Sequence, residues 1–235
     1  MDEHKQQPEA DQTFDVEKVI AQAKMVLSNP RGFYQTMPRS GGFANPVIFV
    51  AAMALVTGLV TAFLSLFSGS FAIGLGSIIF YPIAAVIVGF IASAVLFVIW
   101  KLMGSQQNYE SAFRCWSATT ALYPIAAILS IFPYIGAIVS ILWSTYLIIE
   151  ASVSVHERKR KTAQIVFGIL AVFFLISNIG SQYASRQAAD RFSEMSKQFE
   201  DFDQMSPEEA GRKMGEFLKG FEQGSSAIKQ NGESE

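Results

Sequence analysis

The sequence predicts an all-α integral membrane protein with five transmembrane helices, an N-terminal amphipathic helix and a helical C-terminal tail. Three observations carry this. Of 235 residues, 51% are hydrophobic and only 16% charged, where an average soluble domain has roughly 25% charged residues. Asp, Glu, Lys and Arg are missing between Arg39 and Lys101, between Arg114 and Glu150, and between Lys161 and Arg186. Each gap reaches or exceeds the roughly 20 apolar residues that cross a bilayer. The basic residues that remain gather in loops alternating with uncharged turns.

The same composition excludes several classes. A net charge of -2 excludes nucleic-acid binding driven by overall positive charge, so no nucleic-acid partner is expected. The single cysteine, Cys115, excludes a disulfide framework and a cysteine zinc site. The two histidines, His4 and His156, lie far apart in sequence and give no metal centre. No cofactor is expected, and Gly74-Leu75-Gly76 lacks the third glycine of a dinucleotide fingerprint. Residues 1–44 contain polar residues throughout and lack the apolar core of a secretory signal, so the N-terminus is expected to be retained.

Along the chain, residues 1–12 are polar and read as disordered. Thr13 is a candidate N-cap for an amphipathic helix over 14–28, in which Val16, Val19, Ile20, Ala23 and Leu27 share a face and Pro30 ends the run. That face lies either on the cytoplasmic membrane surface or on the protein itself. The membrane domain covers 45–181. The first span is 45–67, Ser68-Gly69-Ser70 makes a turn, and the second span, 71–100, is long enough to tilt or kink, with Pro82 as the place for a kink. Residues 101–114 read as a polar loop. The apolar block that follows divides at Pro133 into spans 115–132 and 134–150, or else forms a re-entrant hairpin. The fifth span is 162–181.

Residues 182–235 form an extracytoplasmic tail with 11 acidic and seven basic residues. Phe192, Met195, Phe199 and Phe202 form one apolar stripe. Ser206-Pro207-Glu208-Glu209 is a capping box that opens a second, with Met214, Phe217, Leu218 and Phe221. The negative tail is expected to avoid anionic headgroups, and its stripes to pack on each other, on the spans or on a second chain.

Orientation follows from the loops. Arg158-Lys159-Arg160-Lys161 lies between the fourth and fifth spans, and Lys101 and Arg114 border the loop between the second and third. The positive-inside rule makes these loops and the N-terminus cytoplasmic, and five spans then put the C-terminus outside.

Among functional constellations, Ala85, Gly89 and Ser93 form a small-residue stripe on the second span, suited to a dimer contact or to close packing within one bundle. Tyr81-Pro82-Ile83-Ala84-Ala85 recurs as Tyr123-Pro124-Ile125-Ala126-Ala127 in spans of opposite direction. The echo fits either a transport pathway built on broken helices or two kinks that merely shape the bundle. Arg114 and Glu150, at the cytoplasmic ends of the third and fourth spans, are a candidate boundary ion pair, with a gate as the sharper reading. Positive neighbours favour the neutral form of His156, which receives no catalytic role.

The order of these features resembles a known family. An amphipathic helix precedes Asn29-Pro30-Arg31-Gly32-Phe33-Tyr34; Asn108-Tyr109-Glu110-Ser111-Ala112-Phe113 leads into the third span; Ala121-Leu122-Tyr123-Pro124 and a fourth span running into His156 complete the pattern. Over residues 18–180 the chain resembles the Yip family (Ypt/Rab-interacting membrane proteins) in its bacterial form. The resemblance implies five spans with a cytoplasmic N-terminus, no enzymatic activity, and a place in the bacterial inner membrane. Its implied partners are lipids and other membrane proteins, copies of itself included, with Pro30, Phe33 and Tyr34 as candidate interaction or packing residues. Eukaryotic members bind Rab GTPases. This chain lacks their long N-terminal region and its Asp-Leu-Tyr-Gly-Pro motif, which removes the basis for expecting Rab binding. The function read from the sequence is thus non-enzymatic binding of membrane proteins or organisation of the bilayer, the alternative being a small transporter or channel using the second and third spans.

Overall fold

In the computed structural model, residues 15–67, 71–132 and 134–203 are described, with positions 208, 211, 212, 215 and 219 beyond them. The chain divides into two compact units, Met1–Ile179 and Gly180–Glu235. All regular elements among the described residues are helical.

Helix α1 (Val16–Ser28) is capped by Asp15, whose carboxylate accepts from the amides of Glu17 and Lys18. This corrects the expected cap at Thr13: an aspartate directly before the first helical turn satisfies two of its orphan amides. Asn29 then serves two helices. Its amide N–H donates to the Met25 carbonyl to close α1, and its side chain accepts from the Gly32 amide to open α2 (Pro30–Thr36). Pro30 therefore ends one helix and takes the first position of the next, where no N–H is needed. Val26 is fully buried, with Val19, Ala23 and Leu27 half-buried against the core, while Val16 and Ile20 remain exposed. Between the two placements open to α1, its C-terminal half takes the packed one.

Helices α3 (Ala44–Ser65) and α4 (Phe71–Leu102) form the most extensive helix pair. Small residues set their approach. A Cβ on Gly58 would stand 2.7 Å from the Ser77 carbonyl oxygen and 2.8 Å from Ile78 Cα, and one on Gly74 would strike the Ser65 hydroxyl. The Ser77 hydroxyl lies 2.6 Å from the Gly74 carbonyl and 3.0 Å from the Gly58 carbonyl across the interface. Pro82 stands inside α4, where its ring nitrogen removes the hydrogen bond to the carbonyl four residues earlier. The Ser68–Ser70 turn lies outside the described residues.

The third apolar segment differs from the expected span 115–132. Helix α5 (Tyr109–Thr119) begins six residues earlier, because the Asn108 side chain accepts from the Ser111 amide and caps it. A 3₁₀ turn at Thr120–Leu122 interrupts it before α6 (Tyr123–Leu129). Pro124 at the start of α6 explains the break, since it has no N–H to continue the α-helical ladder. The Thr120 carbonyl left by the missing N–H accepts from the Tyr123 amide, and at the end of α5 successive hydroxyls bond back to carbonyls one turn earlier, Ser117 to Arg114, Thr119 to Trp116 and Thr120 to Ser117. Helix α7 (Ile135–Ser154) follows closely, with the Gly136 Cα packed against the Leu129 carbonyl. Helix α8 (Arg160–Asp203) starts in the first unit and ends in the second. The first tail stripe falls on α8, but its side chains beyond Phe192 lie outside the described residues, as does the stripe from Met214 to Phe221.

Among the described residues, four helical stretches are long and apolar enough to cross a membrane: Ala44–Ser65, Gly74–Leu102, Ile135–Ser154 and Arg160–Ser193. Helices α5 and α6, at 11 and 7 residues, are each too short alone. The buried core lies at the end of the bundle where α4 finishes and α5 begins. Tyr34, Phe49, Trp100, Cys115, Leu147, Ala151, Val155 and Phe167 meet there.

The glycines give opposed expectations. Gly58→Ala should lower the thermal midpoint of the detergent-solubilised protein, with an overpacking cost of about 1–3 kcal/mol. Gly168→Ala, in α8 with open space around its Cα, should raise it slightly, by roughly 0.5–1 kcal/mol. Thermal unfolding followed by circular dichroism tests both.

Candidate functional site

Polar chemistry concentrates at this loop end. Helix α5 is its centre: every residue from Ser111 to Thr119 is buried, although the segment carries an arginine and several hydroxyls. The Arg114 Nε donates to Glu110 Oε1 at 3.0 Å, and its Nη2 donates to the Gly42 carbonyl at 2.6 Å. The same Glu110 oxygen accepts from the Gly42 amide at 2.8 Å. One turn along, the Ser111 hydroxyl donates to the Arg39 carbonyl. The segment joining α2 to α3 is thereby strapped across α5. Gly41 and Gly42 make the strap possible with φ of 123° and 81°, conformations that L side chains rarely adopt.

The motifs behind the family resemblance acquire physical roles here. Tyr34 is buried, and its hydroxyl donates to the Cys115 carbonyl at 3.2 Å. Burial pushes its phenol well above the ordinary value. Phe33 packs edge-on against Tyr34, and Pro30 is buried beside them. The Tyr109 hydroxyl donates to the Phe90 carbonyl and lies 3.1 Å from the Ser93 hydroxyl. Phe113 stacks on Phe90. A cleft of about 180 Å³ lies between Gln22, Phe33, Met37, Pro46, Arg114 and Ser117.

The proposed ion pair between Arg114 and Glu150 does not form. Arg114 takes Glu110, one helical turn away, and Glu150 is held by both Nη atoms of Arg160 at 2.6 and 2.9 Å. Both carboxylates lie closer in sequence to another guanidinium than to each other's, and a short connection holds each pair with less ordering entropy. Glu150 is 3% exposed and Arg160 41%, so the pair seals the start of α8 onto the end of α7.

The stripe on α4 faces inward at its two later positions. A Cβ at Gly89 would collide with the Trp116 ring, and Ser93 hydrogen-bonds back to Gly89 while meeting Tyr109; Ala85 is half-buried. Tyr81 and Pro82 lie in mid-α4 and Tyr123 and Pro124 at the break before α6, and both helices pack on α3.

Sequence reasoning missed the stack of His156 on Trp100, whose ring centroids are 3.8 Å apart. Trp100 Nε1 donates to the Ser152 hydroxyl, and His156 Nδ1 lies 2.8 Å from the Ser105 hydroxyl. Ser105 Oγ also accepts from the Gln107 amide, and the other ring nitrogen of His156 is Nε2. That atom is buried without a hydrogen-bond partner among the described residues. Gly104 ends α4 in a Schellman turn: the Ser105 amide donates to the Trp100 carbonyl, and its own to Lys101. Arg158 closes the arrangement by donating to the carbonyls of Met103 and His156, and Arg39 reaches Glu157 and the Ser154 carbonyl. The available signal was a tryptophan at the end of one charge gap and a histidine just past another.

Chemically, these groups are matched donors and acceptors rather than reactive pairs. Among the described residues no three His, Cys, Asp or Glu side chains are grouped to hold a metal. Burial, followed by the charges of Arg158, Arg39 and Lys101, lowers the His156 pKa to about 3. The ring thus stays neutral in the folded state but protonates near 6.5 when unfolded. Stability from this residue is complete above pH 6.5, declines by up to about 1.4 kcal/mol per unit as pH falls toward 3, and levels off below. Unfolding of the His156→Gln variant measured between pH 7 and 4 should show a shallower decline than that of the native chain.

The Yip1 domain model matches residues 24–179, from within α1 to the close of the first compact unit. No curated protein and no solved structure matches the chain. The domain match takes in well over half the sequence, including the strap, the α5 motif and the stacked histidine, and places this integral membrane protein in the Yip family.

Proposed function

We propose that the chain is a non-enzymatic, five-span protein that binds other membrane proteins, copies of itself included, within the bilayer. The carrying observation is the contrast between its two kinds of surface. The buried polar side chains at the loop end, His156 Nε2 aside, are taken up by contacts inside the chain, whereas α3, α4, α7 and α8 present a broad apolar exterior including Leu59, Ile79, Ile87, Ile91, Leu142 and Phe173. An apolar exterior of that extent marks a lipid-facing or protein-binding surface. The transporter alternative calls for free carbonyls at a helix break; at the break between α5 and α6 the Thr120 carbonyl, which Pro124 leaves without its usual donor, accepts from the Tyr123 amide instead.

In this reading α5, the 3₁₀ turn and α6 together make the third crossing, with the neighbouring helices satisfying the interrupted backbone. The N-terminus and the loop at Arg158–Lys161 are cytoplasmic, the C-terminus lies outside, and the membrane is a bacterial inner membrane. With Cys115 replaced by alanine, Lys219→Cys should react with an impermeant thiol reagent applied to intact cells, and Lys159→Cys only after lysis. Protection of position 219 in intact cells would remove the fifth crossing.

Photo-crosslinking tests the binding role. A benzophenone amino acid placed at Ile79, Ile87 or Phe173 should give discrete protein adducts in native membranes, either with this chain or with particular partners. Lipid adducts alone at all three positions would overturn the reading.

A further inference from the structure

Within the first unit, the sides of α4, α7 and α8 enclose a groove of about 490 Å³, within the range of roughly 300–1,000 Å³ that accommodates an organic ligand. Its walls are almost wholly apolar. Ile148, Phe167 and Ala171 form its buried side, while Val95 and Phe174 line it and are more than half exposed. It therefore opens sideways, through the same exterior that faces hydrocarbon. Of the three hydroxyls in its wall, those of Ser140 and Thr145 donate to the carbonyls of Gly136 and Ile141 one turn back, and Ser144 is the third.

The groove's position along the helices identifies what fills it. Its α4 residues, Ala92 to Ile99, lie two to nine residues before Lys101, or roughly 3–14 Å along the axis. Its α8 residues, Phe167 to Phe174, lie roughly 9–20 Å past Lys161. The groove thus runs down from the loop end with a cation above each of two walls. Arg158 and Arg160 are turned inward onto carbonyls and Glu150, whereas Lys101 and Lys161 are exposed and make no ion pair among the described residues. Lys101 rests over the Phe97 ring, its ammonium 5.4 Å from the centroid.

We propose that the groove holds one acyl chain of an anionic phospholipid from the loop-end leaflet, with Lys101 and Lys161 receiving its phosphate. A neutral apolar molecule would leave the two lysines without a counter-charge, and a lipid supplies the chain and the charge at the required separation. The inference rests on the membrane placement above but not on the binding of protein partners.

The full chain reconstituted in phosphatidylcholine vesicles tests this, with phosphatidylglycerol or phosphatidylcholine spin-labelled on one acyl chain as probe and electron paramagnetic resonance reading the immobilised fraction. Phosphatidylglycerol should associate more strongly by roughly fivefold for one engaged lysine and up to about twenty-five-fold for both. Lys101→Gln with Lys161→Gln should reduce it to the level of phosphatidylcholine. Ala171→Phe, and Ala92→Phe from the opposite wall, should each remove the immobilised population of both lipids while the chain still floats with the vesicles. Equal association of the two lipids, or an immobilised fraction that both groove-filling variants leave intact, would show general boundary lipid and overturn the inference while leaving the membrane reading standing. A chain that did not float would overturn both.

Discussion

Arg114 is the constraint around which the loop end is arranged. A guanidinium buried among membrane helices loses its hydration, and its desolvation of several kcal/mol is offset only by close acceptors. Glu110 supplies one and the Gly42 carbonyl the other. The second acceptor comes from outside the membrane helices, so the chain between α2 and α3 must cross α5, and only glycine suits its two turning points. Once that strap is down, α1 and α2 are held over the same helix, and Tyr34 reaches the Cys115 carbonyl. The end of α1 and the whole of α2 are consequently built into the core rather than tethered to it.

The long helices were legible in the sequence because a bilayer imposes a coarse filter: charge is excluded over some 20 residues. That filter gave α3, α4 and α7 to within a few residues at the ends. It misplaced the start of α5, since Glu110 and Arg114 looked like loop charges when each was the other's solution. Asn108 and Pro124, one a cap and the other a missing donor, were the local signals for where that segment begins and breaks. The two asparagine caps were not read from the sequence, although a cap is a contact between near neighbours and so leaves a local signal.

Partner choice at the loop end was not legible. Composition told that Arg114 and Glu150 each needed a counter-charge at the same end, but the assignment depended on which guanidinium each helix brought within 3 Å. The stack of His156 on Trp100 joins residues 56 positions apart, and no periodic pattern marks it. Likewise, the four basic residues around the start of α8 read as one cytoplasmic signal, although Arg158 and Arg160 are turned into the protein and Lys159 and Lys161 away from it. A positive-inside count weighs all four alike, while packing separates them into structural and exposed pairs.

The pairing of Glu150 with Arg160 also bears on how the chain is made. A carboxylate at the end of α7 emerges during synthesis ten residues ahead of its guanidinium, which is about two seconds or less at roughly 5–20 residues per second. Its neutralising partner arrives with the first residues of α8, before the rest of that helix exists. A buried carboxylate is thus covered by the next segment to appear, and its neutralisation need not wait for a distant part of the protein.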